Sequence, residues 1–153
     1  MMSIIQIFTA FLAALGFAML YNVRGIKLLY AAIGGLLSWS VNLLAGYWLH
    51  HEAFQFFIAA FSVTIYAEIC ARINKTPTTT FLPASIIPLV PGGALYYSMQ
   101  YAVNSMLDEF LSRSLYTASL AIAIAAGILL ASSIWKVWLT ALNFLESGLK
   151  RYK

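Results

Sequence analysis

Five apolar segments follow one another along the chain, separated only by short polar connections. Each is close to the about 20 residues that a helix rising 1.5 Å per residue needs to cross about 30 Å of hydrocarbon. Only 9% of the residues are charged, too few to cover the surface of a soluble domain. The sequence therefore predicts an all-α integral membrane protein with one transmembrane domain over residues 1–153. The predicted spans are residues 4–21, 28–49, 53–71, 82–103 and 115–138.

The basic residues predict how these spans are oriented. Of the nine Lys and Arg residues, seven lie on one predicted side, Arg113 lies on the other, and Lys136 lies at a boundary. The positive-inside rule predicts that the side with seven basic residues is cytoplasmic, so we expect an external N-terminus and a cytoplasmic C-terminus. The seven are Arg24, Lys27, Arg72, Lys75, Lys150, Arg151 and Lys153.

The region after Lys136 shows a second apolar pattern. Leu142, Leu145 and Leu149 recur every three or four residues. This spacing predicts a short amphipathic helix that lies on the cytoplasmic surface. At the other end of the chain, the first segment lacks the basic region of a signal peptide, so we expect it to remain as an uncleaved span.

The fourth segment contains the peptide IIPLVPGG, which places helix-breaking residues inside an apolar run. Pro88 and Pro91 lack the N–H of a continuous helix, which would leave the carbonyls of Ala84 and Ile87 without partners. Irregular backbone is tolerated in a membrane only where it is buried in protein or lines water. The peptide therefore predicts a helix broken near the bilayer midplane, restarting at Gly92–Gly93 with a positive end.

Two interpretations of this break remain open. Freed carbonyls beside a helix N-terminus can bind the ammonium and carboxylate groups of a zwitterion, as broken helices do in secondary transporters. The alternative is a proline kink whose freed groups bond to neighbouring helices or water. The substrate-binding hypothesis includes Pro88, Pro91, Gly92, Gly93, Tyr96, Tyr97 and Asn42.

Few other polar residues lie inside the predicted spans. Glu68 is the one acid, and Arg72 lies four residues later, so the two can form an ion pair on one helix face. The rival interpretation is that Glu68 binds protons or, with Arg72, gates the cytoplasmic mouth. Asn42, with Ser38 and Ser40, can hydrogen-bond either a neighbouring helix or a substrate.

Small residues in two spans allow close helix packing, within this chain or against a partner. They are Gly34, Gly35, Ser38, Ala118, Ala121, Ala125 and Gly127.

Several classes of function do not fit the sequence. The chain has a single cysteine, Cys70, so it cannot form an internal disulfide. We expect Cys70 to be a small packing residue. His50–His51 has no third ligand nearby, and no catalytic motif such as H-E-x-x-H occurs, so we expect no metal, no cofactor and no enzyme activity. The basic residues lie in short connections rather than on one face, so we expect no nucleic-acid partner.

Four stretches resemble the threonine/serine exporter family, namely PLVPGGALYYSM, EICARINKTP, GFAMLYNV and GGLLSW. The resemblance covers about two thirds of the chain and is most specific around the break. It implies the small subunit of an inner-membrane exporter of small hydrophilic metabolites. Threonine and serine are the namesake substrates, and some members are associated with dicarboxylates. It also implies a larger multi-span partner subunit, and export at the expense of the proton gradient.

Two other functions are compatible with the same residues. A homo-oligomer could surround a channel lined by the broken helices. Alternatively, the chain could be a structural subunit that stabilises a partner holding the whole substrate site.

Overall fold

A computed structural model describes residues 2–150 of the chain, with side chains for residues 3–141. The described part is helical and contains no strand, so the all-α prediction is confirmed. Within residues 2–150, six α-helices and two short 3₁₀ turns, Thr78–Thr80 and Ile87–Leu89, follow in chain order. The helices are α1 (Met2–Leu20), α2 (Ile26–Trp48), α3 (Glu52–Ile73), α4 (Leu82–Ile86), α5 (Gly92–Val103) and α6 (Leu107–Lys150).

Four helices among the described residues are long and apolar enough to cross a membrane. They contain Ser3–Leu20, Ile26–Trp48, Glu52–Ile73 and Leu107–Ala141, and they correspond to the first, second, third and fifth predicted segments. The fourth predicted segment, residues 82–103, is divided between α4, the second 3₁₀ turn and α5. The longer piece, α5, rises only about 18 Å and does not reach across the hydrocarbon by itself.

The separate amphipathic helix expected at the C-terminus does not form. Instead, α6 is continuous over 44 residues, a length of about 66 Å. Residues 139–150 contain no proline and only one glycine, so the sequence offers nothing to end the helix there. The side chains of Leu142, Leu145 and Leu149, and the basic residues Arg151 and Lys153, lie outside the described part.

The long helices pack in series, α1 against α2, α2 against α3 and α3 against α6. Glycines make the contacts close: a Cβ at Gly127 would lie 2.6 Å from the Phe57 carbonyl oxygen, and one at Gly35 would overlap Ala14. These glycines therefore serve packing within the chain. By contrast, the alanines predicted to pack in α6 (Ala118, Ala121 and Ala125) are exposed.

The core between the helices consists mostly of alanines and one small thiol. Ala18, Ala31 and Ala67 are fully buried in one cluster, and Cys70 is 3% exposed beside them. Small side chains let the helix backbones approach closely, which is how membrane helices gain van der Waals contact. The packing role expected of Cys70 agrees with this position.

The short helix α4 is fixed against this core. The single hydrogen of the Ser85 hydroxyl is shared between the carbonyl oxygens of Ala31 in α2, at 3.0 Å, and Phe81, at 2.9 Å. The next helix, α5, packs against a different neighbour, because its main contact is with α6. The chain therefore passes from one packing partner to another between α4 and α5.

Candidate functional site

The connection between α4 and α5 is residues 87–91, a 3₁₀ turn over Ile87–Leu89 followed by two non-helical residues. Val90 is extended (φ −61°, ψ 123°), and Pro91 adopts φ −74° and ψ 60°. The Val90 N–H donates to the Ile87 carbonyl at 3.0 Å, and the Gly92 N–H donates to the Val90 carbonyl at 2.7 Å. The Ile87 carbonyl therefore has a donor, contrary to the sequence-based expectation, because the chain tightens into a 3₁₀ turn.

This irregular connection lies level with the middle of the long helices. The Pro88 ring lies against Gly35 of α2, with its Cγ 3.5 Å from where a Cβ on Gly35 would be. The fully buried Leu89 packs against Ala59 and Ala60 of α3. Gly35 and Ala60 are each near the centre of their own helix, so the interruption lies at mid-depth in the helix layer.

The first turn of α5 is open. Gly92 and Gly93 are exposed, and apart from their chain neighbours and the backbone of their own helix turn, no atom lies within 4 Å of where a Cβ would be on either residue. No side chain among the described residues caps this helix end. The Leu95 N–H donates to the Pro91 carbonyl at 3.0 Å. The N–H groups of Gly93 and Ala94 are the remaining first-turn donors, at the positive end of the helix.

The two predicted tyrosines lie one turn further along the same open helix. Tyr96 is 65% exposed and Tyr97 is 51% exposed. Their rings contact each other edge to face, with centroids 5.5 Å apart. Ser98 is the buried residue of α5, and its hydroxyl lies 3.4 Å from that of Thr117 in α6. Both tyrosines therefore belong to the uncovered surface that begins at Gly92.

Asn42, the remaining residue of the predicted substrate site, lies in α2 and not on α5. It is 7% exposed, and its side-chain oxygen has no hydrogen-bond partner among the residues described. One turn along the same face of α2, Gly46 faces Gln55 of α3. This places Asn42 on the side of α2 that faces α3. The neighbouring Ser38 and Ser40 hydroxyls donate to carbonyls of their own helix at 2.8 Å.

Glu68 has a different partner from the one its spacing predicts. The Thr78 hydroxyl donates to the Glu68 carboxylate at 3.0 Å, which ties α3 to the 3₁₀ turn before α4. The Arg72 guanidinium lies over the Trp135 ring of α6, 5.9 Å from its centroid. The aromatic face attracts the cation in place of the carboxylate. Both contacts lie at the end of the bundle that is predicted to be cytoplasmic.

A cleft beside the break was not anticipated from the sequence. It has a volume of about 250 Å³ and is lined by Gln6, Thr9, Ala10, Ala13, Trp39 and Pro88. Its position follows from the contact of Pro88 with Gly35. A sequence signal existed, because Gln6 and Thr9 are polar residues three apart in an otherwise apolar segment.

Discontinuous helices near mid-depth recur in many secondary transporters. The family model described as Threonine/Serine exporter, ThrE, matches residues 6–134. The chain therefore belongs to the threonine/serine exporter family, a family of transmembrane transporters. The match covers most of α1, all of α2 to α5 and the first part of α6, and it includes every predicted site residue. Searches among curated proteins and among solved structures gave no match.

Proposed function

We propose that this chain is the small subunit of a two-component exporter and that the break between α4 and α5 lines the substrate path. Membership of the family supports threonine and serine as substrates. Dicarboxylates are further candidate substrates, and the proton gradient is the proposed energy source. The observation that carries the proposal is the uncapped first turn of α5, open at mid-depth.

The unpaired N–H groups at the first turn of α5 explain why a substrate would bind there. Lipid tails accept no hydrogen bonds, so N–H groups at mid-depth need water, a solute or another polypeptide as partner. The partial positive charge of a helix N-terminus favours an anion such as a carboxylate. Gly92 and Gly93 leave room for that group to approach the backbone. In the proposed site Pro88 and Pro91 shape the break, while Tyr96 and Tyr97 line the path beyond it.

The proposal requires α4 and α5 to cross the membrane together as one interrupted span. Residues 82–103 then complete five spans in a single domain, with the N-terminus external and the C-terminus cytoplasmic. The bilayer is the inner (plasma) membrane. In this topology the interruption lies near the bilayer midplane, where broken helices of secondary transporters bind their substrates.

The proposed larger partner covers the open side of α5. Within this chain α5 makes its main contact with α6, and Tyr96, Met99 and Val103 are each more than half exposed. Half of the substrate site then belongs to each chain. Asn42 contributes to the site only if α2 and α3 separate during transport, because it now lies between them.

Glu68 and Arg72 are proposed to act at the cytoplasmic mouth. The bond from Thr78 to Glu68 joins α3 to the segment that leads into α4 and the break. Breaking that bond would free this segment to move, which suits a gate that opens for substrate entry. Protonation of Glu68 would remove its charge and weaken the bond, which is how proton entry would be coupled to export.

A pair of glycine substitutions tests the site. Gly93→Leu and Gly16→Leu each add a side chain where no atom of the described chain lies within 4 Å. We expect Gly93→Leu to abolish threonine uptake into inverted membrane vesicles of the native host, and Gly16→Leu to preserve it. Immunoblots of the vesicles check that the two variants are present in equal amounts.

The same assay separates the rival functions. Normal, saturable transport by Gly93→Leu would favour a structural subunit whose partner holds the whole site. Uptake by the unmodified protein that neither saturates nor responds to a proton-gradient uncoupler would favour a homo-oligomeric channel.

A further inference from the structure

The cleft between α1 and the break opens on the outer surface of the chain. Thr9 and Ala13 line it from α1 and are both exposed, and Pro88 lines it from the break. A group from outside the chain can therefore reach the cleft without any movement of the helices.

One residue that lines this cleft, Gln6, carries an unpaired amide within a membrane span. Gln6 lies inside the apolar window Ser3–Leu20. Its backbone carbonyl accepts from the Thr9 hydroxyl at 2.9 Å, but its side-chain amide has no hydrogen-bond partner among the described residues. The enclosed side-chain atoms that lack a partner belong to other residues, so the Gln6 amide is accessible from outside the chain. Such an amide needs a partner, because lipid tails form no hydrogen bonds.

The size and lining of the cleft indicate what kind of partner fits. Its volume of about 250 Å³ is below the about 300–1,000 Å³ of sites for drug-sized ligands, and it suits one or two side chains. The side chains of Thr9, Ala10 and Ala13 are small, which lets a second helix approach α1 closely. A lipid tail could fill the cleft but would leave the Gln6 amide unpaired. A helix that carries a polar side chain satisfies both the shape and the amide.

We propose that a transmembrane helix of the larger subunit docks on this cleft and pairs a Ser, Thr, Asn or Gln side chain with the Gln6 amide. The inference rests on the proposed function and adds a second contact surface to the open side of α5. Pro88 lines the cleft and belongs to the break. Docking there therefore brings the partner against the break from the side of α1.

Photo-crosslinking in membranes of the native host identifies what occupies the cleft. A benzophenone amino acid replaces Thr9 in the cleft or, as the control, Phe8, which is 60% exposed one residue away and does not line the cleft. A third probe replaces Met99 of α5, which is 70% exposed, and tests the contact of the proposed function by itself. We expect the probes at Thr9 and Met99 to cross-link to one larger multi-span chain, identified by mass spectrometry, and the probe at Phe8 to give no protein product.

A second measurement tests the hydrogen bond of Gln6 without a bulky probe. Gln6→Met keeps the length of the side chain and removes the amide. We expect it to weaken retention of the larger subunit in a detergent dilution series by about 3- to 30-fold, the worth of one hydrogen bond between membrane helices. Ser119→Ala is the control, because the exposed Ser119 hydroxyl already donates to the Tyr116 carbonyl of its own helix at 2.7 Å. It should leave retention unchanged.

The outcomes separate this inference from the proposed function. Cross-linking of the larger chain at Met99 but not at Thr9 overturns the inference and leaves the proposed function standing. Equal yields at Thr9 and Phe8, a Thr9 product made only of two copies of this chain, or unchanged retention in Gln6→Met also overturns it. If no larger subunit is cross-linked at any position or retained on purification, the two-component exporter fails and this inference fails with it.

Discussion

Substitution of Gly34 by alanine should loosen the anchoring of α4, and with it the position of the break. A Cβ at Gly34 would lie 2.7 Å from Ser85 Cβ and 3.2 Å from Tyr66 Cε1, and it would overlap the Ser85 hydroxyl. Ser85 is fully buried and donates to the Ala31 carbonyl, so it has little freedom to move away. Alanine therefore forces α4 and α2 apart.

The magnitude follows from three contributions. Overpacking a well-packed contact costs about 1–3 kcal/mol. Loss of the bond from Ser85 to Ala31 adds about 1 kcal/mol. The higher helix propensity of alanine offsets about 1 kcal/mol. The net destabilisation is therefore about 1–3 kcal/mol, or about 2–12 °C in Tm at about 2–4 °C per kcal/mol for a chain of this size.

The assay is thermal unfolding in a mild detergent, with Gly16→Ala as the matched control. Gly16 is also a helical glycine, but nothing lies within 4 Å of its Cβ position, so alanine there should keep or raise the Tm. The double variant Gly34→Ala with Ser85→Gly removes the overlapping atoms and should be more stable than the sum of the two single effects. Equal Tm values for Gly34→Ala and Gly16→Ala, or strict additivity in the double variant, would refute this reasoning.

Two further substitutions test contacts on α3. Gly127→Leu should reduce the amount of folded protein in membranes, because a Cβ there would lie 2.6 Å from the Phe57 carbonyl oxygen. Ala125→Leu, on the exposed face of α6, should not reduce it, and equal losses on quantitative immunoblots would contradict this contact. Thr78→Val removes the hydrogen bond to Glu68 and should lower the Tm by the few degrees that about 1 kcal/mol represents, whereas Thr78→Ser should preserve it. The same Tm for both Thr78 variants would count against that bond.

The sequence was sufficient to predict the long helices, because apolar length decides which segments can span a membrane. It failed at the C-terminal end, where the leucine spacing after Lys136 is equally compatible with a continuation of α6. A separate amphipathic helix requires α6 to end near Lys136, whereas a continuous α6 does not. No proline or glycine pair in the sequence marks an end to the helix there. Helix boundaries carry less sequence signal than helix existence.

The predicted site depends on contacts that spacing within one helix cannot reveal. Arg72 follows Glu68 at the right interval for an ion pair, yet Thr78 and Trp135 come from other elements and contact these residues instead. Likewise, Gly34, Gly35 and Gly127 were recognisable as packing residues, but their partners are set by the tertiary arrangement. Gly92 and Gly93 are also glycines, but no neighbouring helix covers them. Only the structure distinguishes these two uncovered glycines from the three that pack against other helices.

The central claim is that the first turn of α5 faces a water-accessible substrate path, and cysteine accessibility at Gly93 tests it most directly. In a Cys70→Ala background, which removes the only native thiol, Gly93→Cys is exposed to a membrane-impermeant maleimide in native membranes. The reagent modifies the thiolate, which forms in water and not in lipid. We expect modification that threonine slows, with Ala125→Cys as the unreactive control, because Ala125 lies on the exposed apolar face of α6 and away from the break. An unreactive Gly93→Cys, or modification at a rate that threonine does not change, would contradict the account.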